Sequence, residues 1–299
     1  MKLKRLLLIA VLSVVVFSLD AQTKNCLLWK ISGNGLNQPS YLFGTHHLIP
    51  LSFLKDVKGL DEVLKNTQQV VGEVNMSDKE AIQKKMSQNS ILPAYFSYQK
   101  SLSADDYKFL SHFVKKNLGA DFGQLERVKP AALSMLISII LYKKIYPELG
   151  NDMSFDEYFQ EEAKKQSKPI KGLETVDEQI TALLNVRPLD KQLEGLMCLI
   201  KNPDYLKKQM DVFNTSYKKY DLESLRLQFE NESPDNPCPT AQNEKDILMK
   251  YRNEKWIKVI PDIIKEKSSF IAVGCGHLVG ETGLLNSLSK AGYTVEPVE

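Results

Sequence analysis

The sequence predicts an α/β fold of mixed α+β character: a central mixed sheet with an internal duplication of a strand-Gly-x-x-His unit, surrounded by many helices. Three observations predict it. Short apolar runs of strand length alternate with longer stretches of helical spacing, the pattern of a mixed or largely parallel sheet. Two stretches at opposite ends of the chain read almost alike, Ser40-Tyr41-Leu42-Phe43-Gly44-Thr45-His46-His47-Leu48-Ile49 and Phe270-Ile271-Ala272-Val273-Gly274-Cys275-Gly276-His277-Leu278-Val279. Each is an apolar run, Gly-x-x-His, Leu and a β-branched residue, and two of only four histidines occupy the pattern. Finally, no Pro/Gly/Ser-rich linker divides the chain, so residues 22–299 are expected to form one domain.

Residues 1–21 read as a secretory signal peptide. Lys2, Lys4 and Arg5 precede the apolar run Leu6 to Phe17, and Leu19-Asp20-Ala21 offers a small residue at the cut. The run is short for a membrane span, so export to a periplasmic or extracellular location is expected, with no transmembrane segment after cleavage. Cleavage removes those three basic residues and Asp20 from totals of 39 and 37, which leaves the charges balanced. A balanced chain lacks the basic footprint that nucleic acid requires, and nucleic acid is excluded as a partner. Four cysteines, Cys26, Cys198, Cys238 and Cys275, permit three pairings. Cys198–Cys238 is preferred because both fall in the same helical third, whereas Cys275 reads as a small buried thiol.

Leu27 to Ile31 and Ser40 to Phe43 are expected as strands joined across Ser32-Gly33-Asn34-Gly35. Leu51 to Lys65 has helical spacing, and Gln69 to Val74 is a buried strand with Glu73 near its end. A polar helix begins at Ser77; Ser103 and Asp106 cap another that stops at Gly119. Lys129-Pro130 opens a strongly apolar, central helix to about Tyr146, and Ser154 with Glu157 caps the next, to Lys165. Pro169 to Leu173 is a short strand ending at Glu174, followed by a capping box of Thr175 and Glu178. Pro188 to Tyr220 is helical with a restart at Pro203, and Ser233 to Pro239 is a loop. A long helix from Asn243 to Lys265 is expected to kink at Pro261. Ser269 to Val273 is a strand, Thr282 to Ala291 a helix, and Thr294 to Pro297 the last strand.

In open α/β sheets ligands sit beyond the carboxyl ends of the strands, and His47, Glu73, Glu174 and His277 all fall there. His47, His277 and Glu73 make a two-histidine, one-carboxylate metal set that leaves a position for water. Mn, Co, Zn or Fe are all acceptable to such donors. Glu73 sits among apolar neighbours in Val70-Val71-Gly72-Glu73-Val74, and a lone buried carboxylate needs a metal, a histidine or an arginine beside it. Arg252, in Arg252-Asn253-x-x-Trp256, suits an anion clamp. Glu174 either assists the chemistry or favours a helix N-terminus electrostatically. His46 points away from the site and stands one layer behind it, and His112 is expected to face solvent. His-Glu-x-x-His, Gly-x-Ser-x-Gly, Gly-x-x-x-x-Gly-Lys and Cys-x-x-Cys are all absent, which argues against standard zincins, serine hydrolases, nucleotide hydrolases and thioredoxin-like proteins.

The stretches Tyr41-Leu42-Phe43-Gly44-Thr45-His46-His47-Leu48, Gly172-Leu173-Glu174-Thr175-Val176-Asp177-Glu178-Gln179, Arg252-Asn253-Glu254-Lys255-Trp256 and Ala272-Val273-Gly274-Cys275-Gly276-His277-Leu278-Val279-Gly280 resemble the TraB/GumN family. That group includes the Tiki proteins and is more distantly similar to erythromycin-esterase-like and ChaN-like proteins. The resemblance implies an α/β fold in which each half supplies one Gly-x-x-His and a Glu follows the first, positions matched by His47, His277 and Glu73. For the Tiki branch it implies divalent-metal-dependent proteolysis. A hydrolase acting on a peptide or small-molecule substrate is expected, with Glu73 ligating metal or acting as base and Arg252 or Glu174 assisting. The ChaN-like similarity implies instead a haem- or metal-binding protein without turnover, and the esterase-like similarity a metal-free His/Glu hydrolase. The chain departs from the family pattern at His46, usually apolar, and at Cys275, usually a small residue.

Overall fold

The computed structural model describes residues 25–147, 153–230 and 235–298. The leader expected over residues 1–21 lies outside these residues, as does part of the loop expected from Ser233. Six strands form one sheet: β1 Leu28–Ser32, β2 Ser40–Thr45, β3 Gln69–Gly72, β4 Ile170–Gly172, β5 Ser269–Gly274 and β6 Thr294–Pro297. Their order is β4-β3-β5-β2-β1-β6. Strands β2, β5, β3 and β4 run parallel, while β1 is antiparallel to both β2 and β6. The sheet is mixed, as expected, and surrounded by helices.

The three inner parallel strands are apolar on both faces. Leu42, Phe43, Val70, Val71, Phe270, Ile271 and Val273 are all fully buried, as a parallel sheet covered on both sides requires. Each such side chain is worth about 1.5–3 kcal/mol relative to exposure. The β1–β2 connection places Gly33, Asn34 and Gly35 at positive φ, the conformation its glycines were expected to supply. Because the parallel strands share one direction, their carboxyl ends open onto a single edge, where residues 45–47, 73, 174 and 274–277 emerge.

Helix ends follow the expected capping chemistry. Ser103 accepts from Asp106 N–H, with Gly119 left-handed at the far end. Ser154 accepts from Glu157 N–H, and Thr175 with Glu178 forms a capping box. Several segments differ from expectation. Leu51 to Lys65 is two pieces, a 3-10 turn Leu51–Asp56 and a helix Leu60–Asn66, divided at left-handed Gly59. The helix Pro130–Ile145 is not central. Its Leu133 and Ile137 pack with Tyr98, Leu110 and Leu196 in a second apolar cluster, and Met135, Leu136 and Ile139 are left exposed. A helix apolar all round does not reveal which face packs. The expected helix Asn243 to Lys265 is irregular at Asp246–Lys250, a π-turn, and Pro261 lies inside the regular helix Tyr251–Glu266. The helix after the second motif spans only Leu284–Lys290. Cys198 and Cys238 form a disulfide, the pairing preferred from sequence.

Candidate active site

Strands β2 and β5 are hydrogen-bonded neighbours, so the two Gly-x-x-His segments leave the sheet side by side. They are one residue out of step: Gly44 pairs with Val273, and Thr45 with Gly274. Gly44 makes no turn, because it lies inside β2. A Cβ there would stand 2.6 Å from Leu278 Cδ1 and 3.1 Å from Cys275 Cα, so the missing side chain serves close approach of the second motif. Gly274 ends β5 and donates its N–H to Glu73 Oε1 at 2.9 Å. The chain then coils through Cys275–His277 and buries the second imidazole against Trp256, ring centroids 4.4 Å apart.

The protonation of His277 follows from its partners. Asn253 gives its amide hydrogens to the carbonyls of His277 and Thr282, so its Oδ1 faces His277 Nδ1, at 2.7 Å. An amide oxygen only accepts, so Nδ1 carries the proton and Nε2 presents a lone pair. Burial pushes the pKa of this group down to about 4, which keeps it neutral near pH 7.

Arg252 occupies the middle of the site. Its Nη1 donates to His277 Nε2 at 3.0 Å and to the Leu248 carbonyl, in the π-turn, at 3.2 Å. Its Nη2 donates to Glu73 Oε2 at 2.6 Å and to Glu174 Oε1 at 2.7 Å, and Nε reaches Glu174 Oε2 at 3.1 Å. The guanidinium also lies over the Trp256 ring at 4.6 Å. Glu73 accepts additionally from Gln179 Nε2 at 3.0 Å. The partner demanded by a carboxylate among apolar neighbours is therefore present. Burial works against ionisation of Glu73, but His277, Arg252 and the Gly274 N–H together hold its pKa well below the usual carboxylate range. Glu174 is buried and engaged by Arg252 from two nitrogens, so its partner is the arginine and not a helix N-terminus alone.

His47 stands on the rim with 67% of its side chain exposed, and its Nδ1 lies 3.1 Å from Asp156 Oδ2. Asp156 in turn accepts from the Thr45 hydroxyl at 3.0 Å. The hydrogen bond to Asp156 raises the His47 pKa to about 9. His46 is buried beside it and, contrary to the expectation that it points away from the site, also lines the same cavity as His47. Leu48 N–H donates to its Nδ1 at 3.0 Å, so Nε2 carries the proton and points to Asn214 Oδ1 at 3.1 Å. Burial and the neighbouring His47 hold the His46 pKa down to about 3.

His47, Glu73, Arg252 and His277 line one cavity of ≈ 620 Å³, which Phe213 and Phe229 also wall. Glu174 joins the group through Arg252. The sequence-predicted set is thus brought to one place, but not as a metal cluster. Among the described residues no three of His, Cys, Asp and Glu stand close enough to hold an ion, and the cation at the centre is a guanidinium. The chemistry of the donors still fits a divalent ion. Each imidazole has Nδ1 tied to an outer acceptor, Asp156 or Asn253, so Nε2 is the nitrogen a metal would take; at His277 it accepts from Arg252, which an ion would displace, and at His47 it carries a proton that binding would release. Cys275 adds no thiolate, because burial pushes its pKa up to about 12.

Sequence reasoning did not single out Asp156, Asn253 and Gln179. Asp156 follows Ser154 in a helix cap, Asn253 adjoins Arg252, and Gln179 follows the capping box; nothing local distinguishes them from ordinary helix-surface polar residues.

Comparisons with known proteins place these residues in context. The chain is 23% identical to a "Metalloprotease TIKI homolog" of Amphimedon queenslandica, over 91% of this chain and 61% of that relative. It is 23% identical to "Metalloprotease TIKI2" of Danio rerio over 91% and 61% of the two chains, and 26% identical to "Metalloprotease TIKI2" of Xenopus tropicalis over 91% and 60%. The chain therefore spans about three fifths of the length of these curated relatives. No solved structure matches it. The model of the TraB/PrgY/gumN family matches residues 27–297, nearly the whole of the described fold and every residue of the site, and the chain belongs to that family.

Proposed function

We propose that this protein is an exported, divalent-metal-dependent hydrolase acting on peptide substrates, with His47, His277 and Glu73 as the metal-holding residues. The observation that carries the reading is His277. It is a buried, neutral imidazole whose Nδ1 proton is fixed by Asn253, so its Nε2 lone pair, which accepts from Arg252, is the one a metal would take on displacing that donor. The names of the Tiki relatives support the metal and the peptide, and the Cys198–Cys238 disulfide supports an oxidising, exported location.

A bound divalent ion would supply Lewis acidity and a nucleophile active at neutral pH. The remaining work falls to the chain. Glu73, ionised and far below ordinary carboxylate basicity, is a poor proton acceptor and suits a ligand role. Arg252, anchored by Glu174, places a fixed positive charge beside the position where negative charge develops on a substrate carbonyl oxygen. Asp156 orients His47 and Asn253 orients His277.

Elemental analysis of purified protein, paired with peptide hydrolysis before and after chelation, tests this. One equivalent of metal is expected, lost together with activity in His47→Ala and His277→Ala. Peptide hydrolysis undiminished by chelator would select instead the metal-free reading, which the central position of Arg252 favours: a hydrolase using His47, Glu73 and the guanidinium alone.

A further inference from the structure

A second cavity, of ≈ 780 Å³, lies beside the first, walled by Met135, Leu199, Pro237, Pro239 and Leu248. Leu183 lines both cavities. So does the π-turn, whose consecutive residues Leu248 and Met249 face the second and the first respectively. We propose that the two cavities are one groove, and that the substrate is an extended polypeptide segment filling both. This rests on the peptidase reading above and names its substrate class as a long unfolded chain, excluding dipeptides and small esters.

Three features carry the inference. Volumes of about 300–1,000 Å³ suffice for an ordinary small ligand, so either cavity alone would serve one, and two joined through a shared wall match a longer, linear occupant. Leu183 at the seam and Met135 in the second cavity each remain 36% exposed, large apolar side chains that a bound chain would cover. The far wall is prearranged as well. The Cys198–Cys238 disulfide ties the Pro237–Pro239 stretch to the helix Leu189–Lys201, and Arg187 is ion-paired with Glu244 across the same cavity. A wall already ordered does not charge its ordering entropy to binding. The mixed lining, apolar with a fixed ion pair, suits the side chains and peptide groups of an extended segment.

The test uses full-length mature protein, a defined pool of synthetic peptides of about 14 residues, and truncations of the best substrate to about four residues around the cut bond; extended chain spans roughly 3.3–3.6 Å per residue, so only the longer form reaches the far cavity. Ala182→Trp and Ser134→Trp each place bulk in the far cavity, at positions that line it and not the first. The expected result is a kcat/KM advantage of about tenfold or more for the long form, equivalent to about 1.4 kcal/mol. Both Trp variants should abolish that advantage and leave hydrolysis of the short form unchanged. Equal rates for both lengths, or equal losses in the variants, would overturn the groove while leaving a hydrolase. Retention of the long peptides on immobilised protein in chelator, lost in both variants but without cleavage by metal-loaded enzyme, would keep the groove and remove the hydrolase. Neither cleavage nor retention would overturn both.

Discussion

Arg252 donates from Nη2 to Glu73 Oε2 at 2.6 Å, and through this contact the helix Tyr251–Glu266 neutralises a carboxylate set at the end of β3. The same nitrogen serves Glu174, so one guanidinium balances two buried carboxylates. Removing it strands both. Arg252→Ala is expected to lower stability by about 3–5 kcal/mol, the usual cost of breaking a buried pair from one side, read as a shift in the urea midpoint. Zinc or manganese added to that variant should recover part of the loss, because a divalent cation would take the vacated charge position; no response to metal would count against the acidic pocket as a cation site.

Gly44 offers a packing test. Its absent Cβ would press on Leu278, itself fully buried, and on the Cys275 backbone. Gly44→Ala should cost about 1–3 kcal/mol as an overpacked core substitution, measured by thermal or denaturant unfolding. A neutral result would show that the two motifs separate easily.

The capping box sets a pH dependence outside the metal-holding residues. Lys255 and then the Thr175 N–H and hydroxyl hold Glu178 down to about 2, against an ordinary value of 4.5. A depressed carboxylate contributes stability above its unfolded pKa and loses it as pH falls. The melting-temperature gap between wild type and Glu178→Gln should therefore be full above pH 4.5 and close towards pH 2. Thr175→Ala should cost about 0.5–2 kcal/mol at neutral pH.

The disulfide closes a segment of 40 residues. Cys198→Ser or Cys238→Ser is expected to cost about 2–4 kcal/mol, with reduction of the wild type giving a matching loss. An unchanged unfolding midpoint would sink the bridge as a stabilising element.

Much of the fold was legible because it rests on short-range signals. The three caps at Ser103, Ser154 and Thr175 and the apolar runs of β2, β3 and β5 are local chemistry, and each appears where the residues ask for it. The helix Pro130–Ile145 misled because packing, not composition, decides its buried face. The site divides in the same way. His47, Glu73, Glu174, Arg252 and His277 stood out as reactive types in unusual settings. That Arg252 would sit at the centre follows only from the long crossover that lays its helix against β5, which no window of sequence contains. Asp156, Asn253 and Gln179 matter through the atoms they hold still, and polar residues on helices give no advance notice of that.

The one-rung offset between Gly44 and Gly274 has a further effect. Two copies of a motif in perfect step on parallel neighbours would bring their histidines out at the same level of the sheet. Displaced by one position, the copies differ in setting: His277 is sheltered and His47 solvated, with 4% and 67% of their side chains accessible. The cavity that both rings line therefore has unlike flanks, one closed and one open to water.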